Sequence, residues 1–150
     1  MSSIHEDIVQ EEFRGPYEKG LINIMYTYHY LVNHLNRFFK SHDITRQQYN
    51  VLRILRGQHP KPASVNLIKA RMIDKMSDAS RIVDRLASKG LVERKTNEFD
   101  KRAVDVLISE QGLNLLERTD KVALGFGDYL KNLNPKEVDQ LNSLLDKIRD

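Results

Sequence analysis

The sequence predicts a mainly α-helical protein with a small β-hairpin (α+β), in which a winged helix-turn-helix domain is flanked by terminal dimerisation helices. Three observations predict this fold. Apolar residues at helical spacing occupy long stretches near both ends, at about residues 17–39 and 113–148. Capped short helices lie between them, followed by two β-rich stretches around a polar loop. We expect a single domain, 1–150, with dimerisation helices at about 1–43 and 110–150 and a DNA-binding core at about 44–109.

The first long helix should begin at Pro16, because a proline suits the first helical position, where an N–H group is not needed. Residues 1–14 lack a clear period and predict a loose arm with a turn of helix. Beyond Pro16, apolar residues recur at spacings of three and four for about six turns. They are Tyr17, Leu21, Ile24, Met25, Tyr28, Leu31, Val32, Leu35, Phe38 and Phe39.

The second helix should open at Thr45, with Gln48 completing a capping box and Gly57 at its end. Its predicted core residues are Tyr49, Val51, Leu52 and Leu55. Ser64 is expected to cap a short third helix. A fourth helix, 77–89, should then follow after a tight turn, which is the order of a helix-turn-helix.

The fourth helix has clear end signals and leads into the wing. Ser77 is expected to be its N-cap, and Gly90 stands where a left-handed residue would end it. A strand at 91–94, a polar loop at 95–102 and a strand at 103–108 complete a hairpin. Beyond it, Ser109 should cap a helix, and Asn134 should cap the last one through a capping box.

Composition excludes several classes of protein. The 150 residues, 40% hydrophobic and 30% charged, suit one domain with a core. The start of the chain has no signal-peptide pattern, and no apolar run reaches the roughly 18 residues that span a bilayer. The absence of cysteine excludes a disulfide framework, a thiolate metal site and a cysteine redox switch. We expect a cytoplasmic protein that contacts no membrane and needs no cofactor.

Basic residues are concentrated in the middle of the chain. Residues 53–102 hold thirteen Lys and Arg against six Asp and Glu, a balance of +7, whereas the remainder has a balance of −4. This distribution is typical of a segment that binds nucleic acid. A solvated basic face would give the same count.

The chain resembles the MarR family of bacterial transcription regulators. Four segments carry the resemblance, TRQQYNVLRIL at 45–55, SDASRIVDRLASKGLVER at 77–94, Asp100-Lys101-Arg102 in the wing, and VDVLISEQGLNLL at 104–116. It implies an obligate homodimer formed by the terminal helices, a recognition helix at 77–89, and a wing tip at 96–102 that reaches the minor groove. It also implies a repressor that binds double-stranded DNA and is released by a small aromatic or anionic effector.

Candidate DNA contacts follow from chemistry. Ser77, Asp78, Ala79 and Ser80 lie at a helix N-terminus, which suits phosphates and base edges, although Ser77 could equally be only a cap. Arg81 is the better candidate for a guanine contact. Either arginine could instead pair with Asp78 or Asp84, and this alternative is stronger for Arg85 than for Arg81. We assign Arg102 to the minor groove, with Asp100 orienting it or the loop. The expected phosphate contacts are Lys69, Arg94, Lys95 and Lys101.

A ligand pocket is a further expectation. Tyr26, His29, Tyr30 and Arg53 could form a site that is apolar in body with polar tips. Aromatic side chains at such positions are more often part of a dimer core. A dimer would place two recognition helices about 34 Å apart, so the operator should be a pseudo-palindrome.

Other functions have weaker support. The sequence has no Gly-rich phosphate loop, GxSxG or HExxH motif, so we expect no catalytic residue and no enzyme. A zinc-sensing variant that uses His34 and His42 is conceivable, but scattered histidines are usually surface residues. The alternative is a zinc- or ligand-independent winged-helix regulator or a protein-interaction module, which the basic middle of the chain disfavours.

Overall fold

The computed structural model describes residues 2–150, without the side chains of 122–126. The α-helices are α1 (Ile4–Asp7), α2 (Pro16–Lys40), α3 (Arg46–Gln58), α4 (Val65–Arg71), α5 (Ala79–Ser88), α6 (Glu110–Ala123) and α7 (Pro135–Arg149). A 3-10 helix, Leu124–Leu130, lies between the last two. The strands are β1 (Ala63–Ser64), β2 (Val92–Thr96) and β3 (Val104–Ile108). Contacts divide the chain into two compact units, Met1–Arg46 and Gln47–Asp150.

The first unit consists of a short helix and one long helix. As predicted, α2 begins at Pro16, with Gly15 as its N-cap, and α1 provides the expected turn of helix in the N-terminal arm. Much of the apolar stripe on α2 faces solvent in the single chain. Tyr17 is 92% exposed and Leu21 61% exposed, whereas Phe39 is buried. The N-terminal half of α2 therefore has an uncovered apolar face.

The core of the second unit is formed by α3, the winged-helix elements and α6. Every predicted core residue of α3 is buried. They are Tyr49, Val51, Leu52 and Leu55. Other buried side chains in this unit are Ile68, Met72, Val83, Leu86, Val106, Ile108 and Leu116. Since these come from helices and strands far apart in sequence, the helix-turn-helix and the sheet share one core.

The sheet has three strands, one more than the predicted hairpin. The strand order is β1-β3-β2, and both pairs are antiparallel. The added strand pairs Ala63 with Val106 and Ser64 with Asp105. Two residues are too few to show alternation, and this pairing spans about forty residues of chain, so the sequence pattern does not reveal it.

Most predicted helix ends are confirmed. The Ser64 hydroxyl accepts a hydrogen bond from the Leu67 N–H at 3.1 Å, and Asn134 forms the predicted capping box with Glu137. One end was predicted wrongly, because Gly57 lies within α3, which continues to Gln58. A glycine near a helix end is a weak signal unless its φ is positive.

A tight junction joins the end of α5 to the start of α6. Gly90 has φ +72°, the left-handed conformation predicted for it. The Ser109 hydroxyl donates to the Gly90 carbonyl at 2.6 Å and accepts from the Gly112 N–H at 3.1 Å, which confirms Ser109 as a cap. The Ser109 N–H donates to the Leu91 carbonyl at 3.0 Å. The recognition helix is thereby fixed to the helix that follows the wing.

Among the described residues, no helix is both long enough and apolar enough to cross a membrane.

Candidate nucleic-acid interface

The N-terminus of α5 is capped one residue later than predicted. The Asp78 carboxylate accepts a hydrogen bond from the Arg81 N–H at 3.1 Å, so Asp78 is the N-cap and the assignment to Ser77 was wrong. Ser77 instead donates its backbone N–H to the Asp74 carbonyl at 3.3 Å and is half-buried. Both residue types can cap a helix, so the residue type alone does not distinguish the two positions.

Two opposite faces define the orientation of α5. Ala79, Val83 and Leu86 are buried, whereas Arg81 and Arg85 are exposed. Ala79 is only 3% exposed, so it packs in the core and the prediction that it contacts DNA is corrected. Alanine is common on both faces of helices, and its position in the sequence could not distinguish them. The exposed face of α5 carries two guanidinium groups one helical turn apart.

The arginines of α5 have no carboxylate partner within the described part of the chain. Asp84, considered as a partner for Arg81 or Arg85, instead forms an ion pair with Arg94 on β2. Arg94 and Asp84 are both partly exposed, at 48% and 58% of their side chains. Solvent screens this pair, so its contribution to stability is small. It does hold the first cation of the wing against the recognition helix.

The wing tip, 97–103, is ordered by one asparagine side chain. The Asn97 Oδ1 atom accepts hydrogen bonds from the N–H groups of Phe99 at 2.8 Å and Asp100 at 2.9 Å. Its Nδ2 atom donates to both carboxylate oxygens of Asp105, each at 3.1 Å. Asparagine favours such local bonds in turns. The tip is therefore a defined structure rather than a loose loop.

Asp100 contributes to the same tip through its carboxylate, which accepts the Arg102 N–H at 2.9 Å. The contact is to the backbone of Arg102, so Asp100 shapes the loop. Backbone bonds close the base of the tip, from the Asn97 N–H to the Ala103 carbonyl and from the Ala103 N–H to the Asp100 carbonyl. Arg102 and Lys101 are exposed on this frame.

The remaining predicted contact residues also lie at the surface of the second unit. Ser80, Lys69 and Lys95 are exposed, on α5, α4 and β2 respectively. Packing of α4 against α5 and of α5 against β2 places these elements side by side. The second unit thus brings most of the predicted cations onto adjacent elements.

A polar cluster links α3 to α6. The Asp120 carboxylate accepts hydrogen bonds from the Tyr49 hydroxyl at 3.3 Å and the Arg56 guanidinium at 2.5 Å. Burial and, to a lesser extent, the negative charge of Asp120 raise the pKa of Tyr49 above its ordinary value. Tyr49 therefore stays a neutral hydrogen-bond donor at physiological pH and keeps α3 attached to α6.

The residues of the predicted ligand pocket lie in both units. Tyr26, His29 and Tyr30 are exposed on α2, and the ring centroid of Tyr30 is 4.4 Å from that of His34. The guanidinium of Arg53 lies 5.9 Å from the centroid of the Tyr49 ring. The pocket stays a prediction. In the described residues no group of three or more His, Asp or Glu side chains is arranged to hold a metal ion.

Sequence reasoning missed two features of this surface. Asn97 and Asp105 build the wing tip, and the Asp84–Arg94 pair joins the wing to α5. An asparagine at the start of a polar loop was an available turn signal. The ion pair had no signal in the sequence, because its two residues are ten positions apart on different elements.

Comparisons with known proteins agree with this geometry. The MarR family model matches residues 44–104. The multiple antibiotic resistance protein MarR of Escherichia coli is 34% identical over 116 residues, covering 76% of this chain and 79% of its own. The HTH-type transcriptional repressor IacR of Pseudomonas putida is 29% identical over 149 residues, covering 96% and 85%.

Solved structures give the same result. The crystal structure of the C80S mutant of E. coli MarR, complexed with operator DNA, has a TM-score of 0.74 and 28% identity, covering 98% of this chain and 99% of that one. A MarR transcription factor from Planctomyces limnophilus has a TM-score of 0.68 and 27% identity, covering 90% and 98%. With its winged helix-turn-helix and its similarity to these proteins over most of its length, the chain belongs to the MarR family and is a DNA-binding transcription regulator.

Proposed function

We propose that the protein is a dimeric, sequence-specific repressor that a small aromatic or anionic molecule releases from its operator. The observation that carries this proposal is the row of exposed cations along α5 and the wing. Its members are Arg81, Arg85, Lys95, Lys101 and Arg102. The P. putida relative is named a repressor, and the E. coli relative was crystallised with operator DNA, which supports the same function here.

Each cation has a proposed role. Arg81 and Ser80 on α5 would read base edges in the major groove, with Arg85 at the phosphates beside them. Ser77 would approach a phosphate through its hydroxyl, since its backbone N–H already binds the Asp74 carbonyl, and Asp78 caps the same helix N-terminus. Arg102 would enter the minor groove, where the negative potential is strong. The proposed phosphate contacts are Lys69, Arg94, Lys95 and Lys101.

Exposed apolar side chains support the proposed homodimer. Tyr17, Leu21 and Met25 on α2 are each more than half exposed, and Leu144 and Ile148 on α7 are 53% and 65% exposed. An exposed apolar face on a helix of this kind is typical of an interface. A two-fold dimer would present its recognition helices one DNA turn apart to a pseudo-palindromic operator. Light scattering should give twice the 17.5 kDa chain mass.

The effector site is proposed from the aromatic and basic side chains of Tyr26, His29, Tyr30 and Arg53. Their combination of rings and cationic or polar tips suits a small aromatic or anionic compound. We assign the protein no catalytic residue, metal or cofactor. We place it in the cytoplasm, because a bacterial regulator must meet the chromosome there.

A DNA titration tests the function directly. Fluorescence anisotropy would compare a duplex from upstream of the protein's own gene with a shuffled duplex, at two salt concentrations. We expect tighter binding of the native sequence and a strong loss of affinity with salt. Should both duplexes bind equally, a duplex selected by the protein from a random pool would replace the first. A complete lack of DNA binding at low salt would exclude the proposal and favour a protein-interaction module.

Replacing Asp84 by asparagine should strengthen binding to DNA of any sequence. The change removes a negative charge from the DNA-binding face and ends the competition of Asp84 with phosphate for Arg94. Affinity should therefore fall more steeply with salt concentration, by the equivalent of about one additional phosphate contact per protomer. The free energy of unfolding should change by less than about 1 kcal/mol, because the ion pair is largely exposed. Asp146→Asn, which removes another exposed ion pair on α7, is the matched control and should leave DNA affinity unchanged.

Replacing Arg81 by alanine should relax sequence preference. A bidentate contact to guanine discriminates by about 1–3 kcal/mol at one base pair, and the variant should lose that discrimination. The measurement is the affinity of the variant for the duplex that the wild-type protein prefers, and for versions of that duplex with each base pair changed in turn. An equal loss of affinity on specific and random DNA would show that Arg81 contacts phosphate and does not read a base.

A further inference from the structure

The most exposed large apolar side chain at the DNA-binding surface is Phe99, at the tip of the wing. It is 97% exposed. A single exposed aromatic ring is ordinary on a protein surface. Phe99 is unusual in its setting, because a specific network of hydrogen bonds holds its backbone at the end of the hairpin. Its chain neighbours Glu98 and Asp100 are acidic, and the cations Lys95, Lys101 and Arg102 lie two to four residues away.

The network fixes the backbone of Phe99 itself. Its N–H group donates to the Asn97 side chain at 2.8 Å, and the same oxygen binds the next N–H group at 2.9 Å. Asn97 is held in turn by two bonds to Asp105 on β3. Little backbone entropy remains to be lost when the ring is buried by a partner, so the ring is preorganised for binding.

The charges around the ring indicate the partner. Lys95, Lys101 and Arg102 are exposed on the same hairpin. One carboxylate oxygen of Asp100 accepts the Arg102 N–H, and the carboxylate keeps its negative charge. Glu98 is the remaining acidic residue of the tip. These three cations outnumber the two carboxylates. An apolar side chain on such a hairpin suits the DNA minor groove, where the cations neutralise phosphates and the ring inserts at a base step. A purely apolar protein pocket would not require the cations.

We propose that Phe99 is a wedge that enters the minor groove and partly unstacks one base step beside the Arg102 contact. The proposal rests on the proposed DNA-binding function and adds a specificity-determining residue to it. Pyrimidine–purine steps unstack most easily, so Phe99 makes the protein prefer such a step under each wing without hydrogen bonds to its bases.

The test uses the full-length protein and a duplex that it selects from a random pool, with 2-aminopurine placed at successive positions under the wing. The wild-type protein should raise 2-aminopurine fluorescence at one step, since this base brightens on unstacking. Phe99→Ala should abolish the rise and weaken binding about tenfold or more, with an unchanged salt dependence. Phe99→Leu keeps an apolar wedge and should keep most of the rise. Val9→Ala changes another highly exposed apolar residue, in the first unit, and should alter neither the fluorescence nor the affinity.

Three results would overturn the proposal. Unchanged affinity and fluorescence in Phe99→Ala would show that the ring stays outside the groove. A lower salt dependence in that variant would mean that Phe99 acts by placing the cations, and not as a wedge. If the wild-type protein selects no duplex, the proposed DNA-binding function itself is wrong. That result differs from the first two, in which the protein binds DNA and only the role of Phe99 is wrong.

Discussion

Replacing Arg102 by alanine is expected to weaken binding to every DNA duplex by about 3–6 kcal/mol per dimer. Each hydrogen bond to a charged group contributes about 1.5–3 kcal/mol, and a dimer would lose one such contact from each wing. Arg102 is exposed, and its backbone N–H is fixed by Asp100, so the folded wing should survive the change. The salt dependence of affinity should fall by about two counterions per dimer.

Anisotropy titrations over a range of salt concentrations measure both effects. Arg102→Lys keeps the charge but not the planar guanidinium, so it should retain the salt dependence and recover only part of the affinity. Lys136→Ala removes an exposed cation from the start of α7 and should leave both unchanged. If Arg102→Ala bound as tightly as the wild type, the wing would not enter the groove through this residue.

Replacing Gly112 by alanine is expected to lower the free energy of unfolding by about 1–3 kcal/mol. A Cβ atom at Gly112 would lie 2.3 Å from the Leu91 carbonyl oxygen and 2.7 Å from Ile108 Cγ1. The Leu91 oxygen is backbone and accepts the Ser109 N–H, so it cannot move without breaking that bond. Overpacking of this kind costs about 1–3 kcal/mol and the lost bond about 1 kcal/mol. The higher helix propensity of alanine offsets about 1 kcal/mol of this loss in stability.

The matched control is Gly57→Ala. Gly57 lies within α3, and a Cβ atom there would meet nothing within 4 Å. Alanine should therefore stabilise the protein by roughly 0.5–1 kcal/mol through helix propensity. Urea unfolding followed by circular dichroism, at equal protein concentration because a dimer's stability depends on it, measures both variants. A stabilising Gly112→Ala would show that the junction between α5 and α6 can open without cost.

Local chemistry in the sequence determined most of the helices and the order of the DNA-binding elements. Pro16, Ser64, Ser109 and Asn134 marked helix starts correctly, because capping depends on residues within one turn. Gly90 marked the end of the recognition helix, since few other residues adopt its positive φ. The apolar period of α3 likewise predicted its buried face. Signals of this kind depend on a few neighbouring residues, so they can be recognised in the sequence without knowledge of the fold.

The tertiary structure alone decided which of several equivalent residues took each role. Asp78 caps α5 in place of Ser77. Ala79 faces the core, because burial of Val83 and Leu86 sets the rotation of the helix. Strand β1 and the Asp84–Arg94 pair exist only when distant segments meet. Gly112 is needed because the Leu91 carbonyl approaches it from another element. Contacts between distant segments leave no periodic pattern in a sequence, so only the folded chain reveals them.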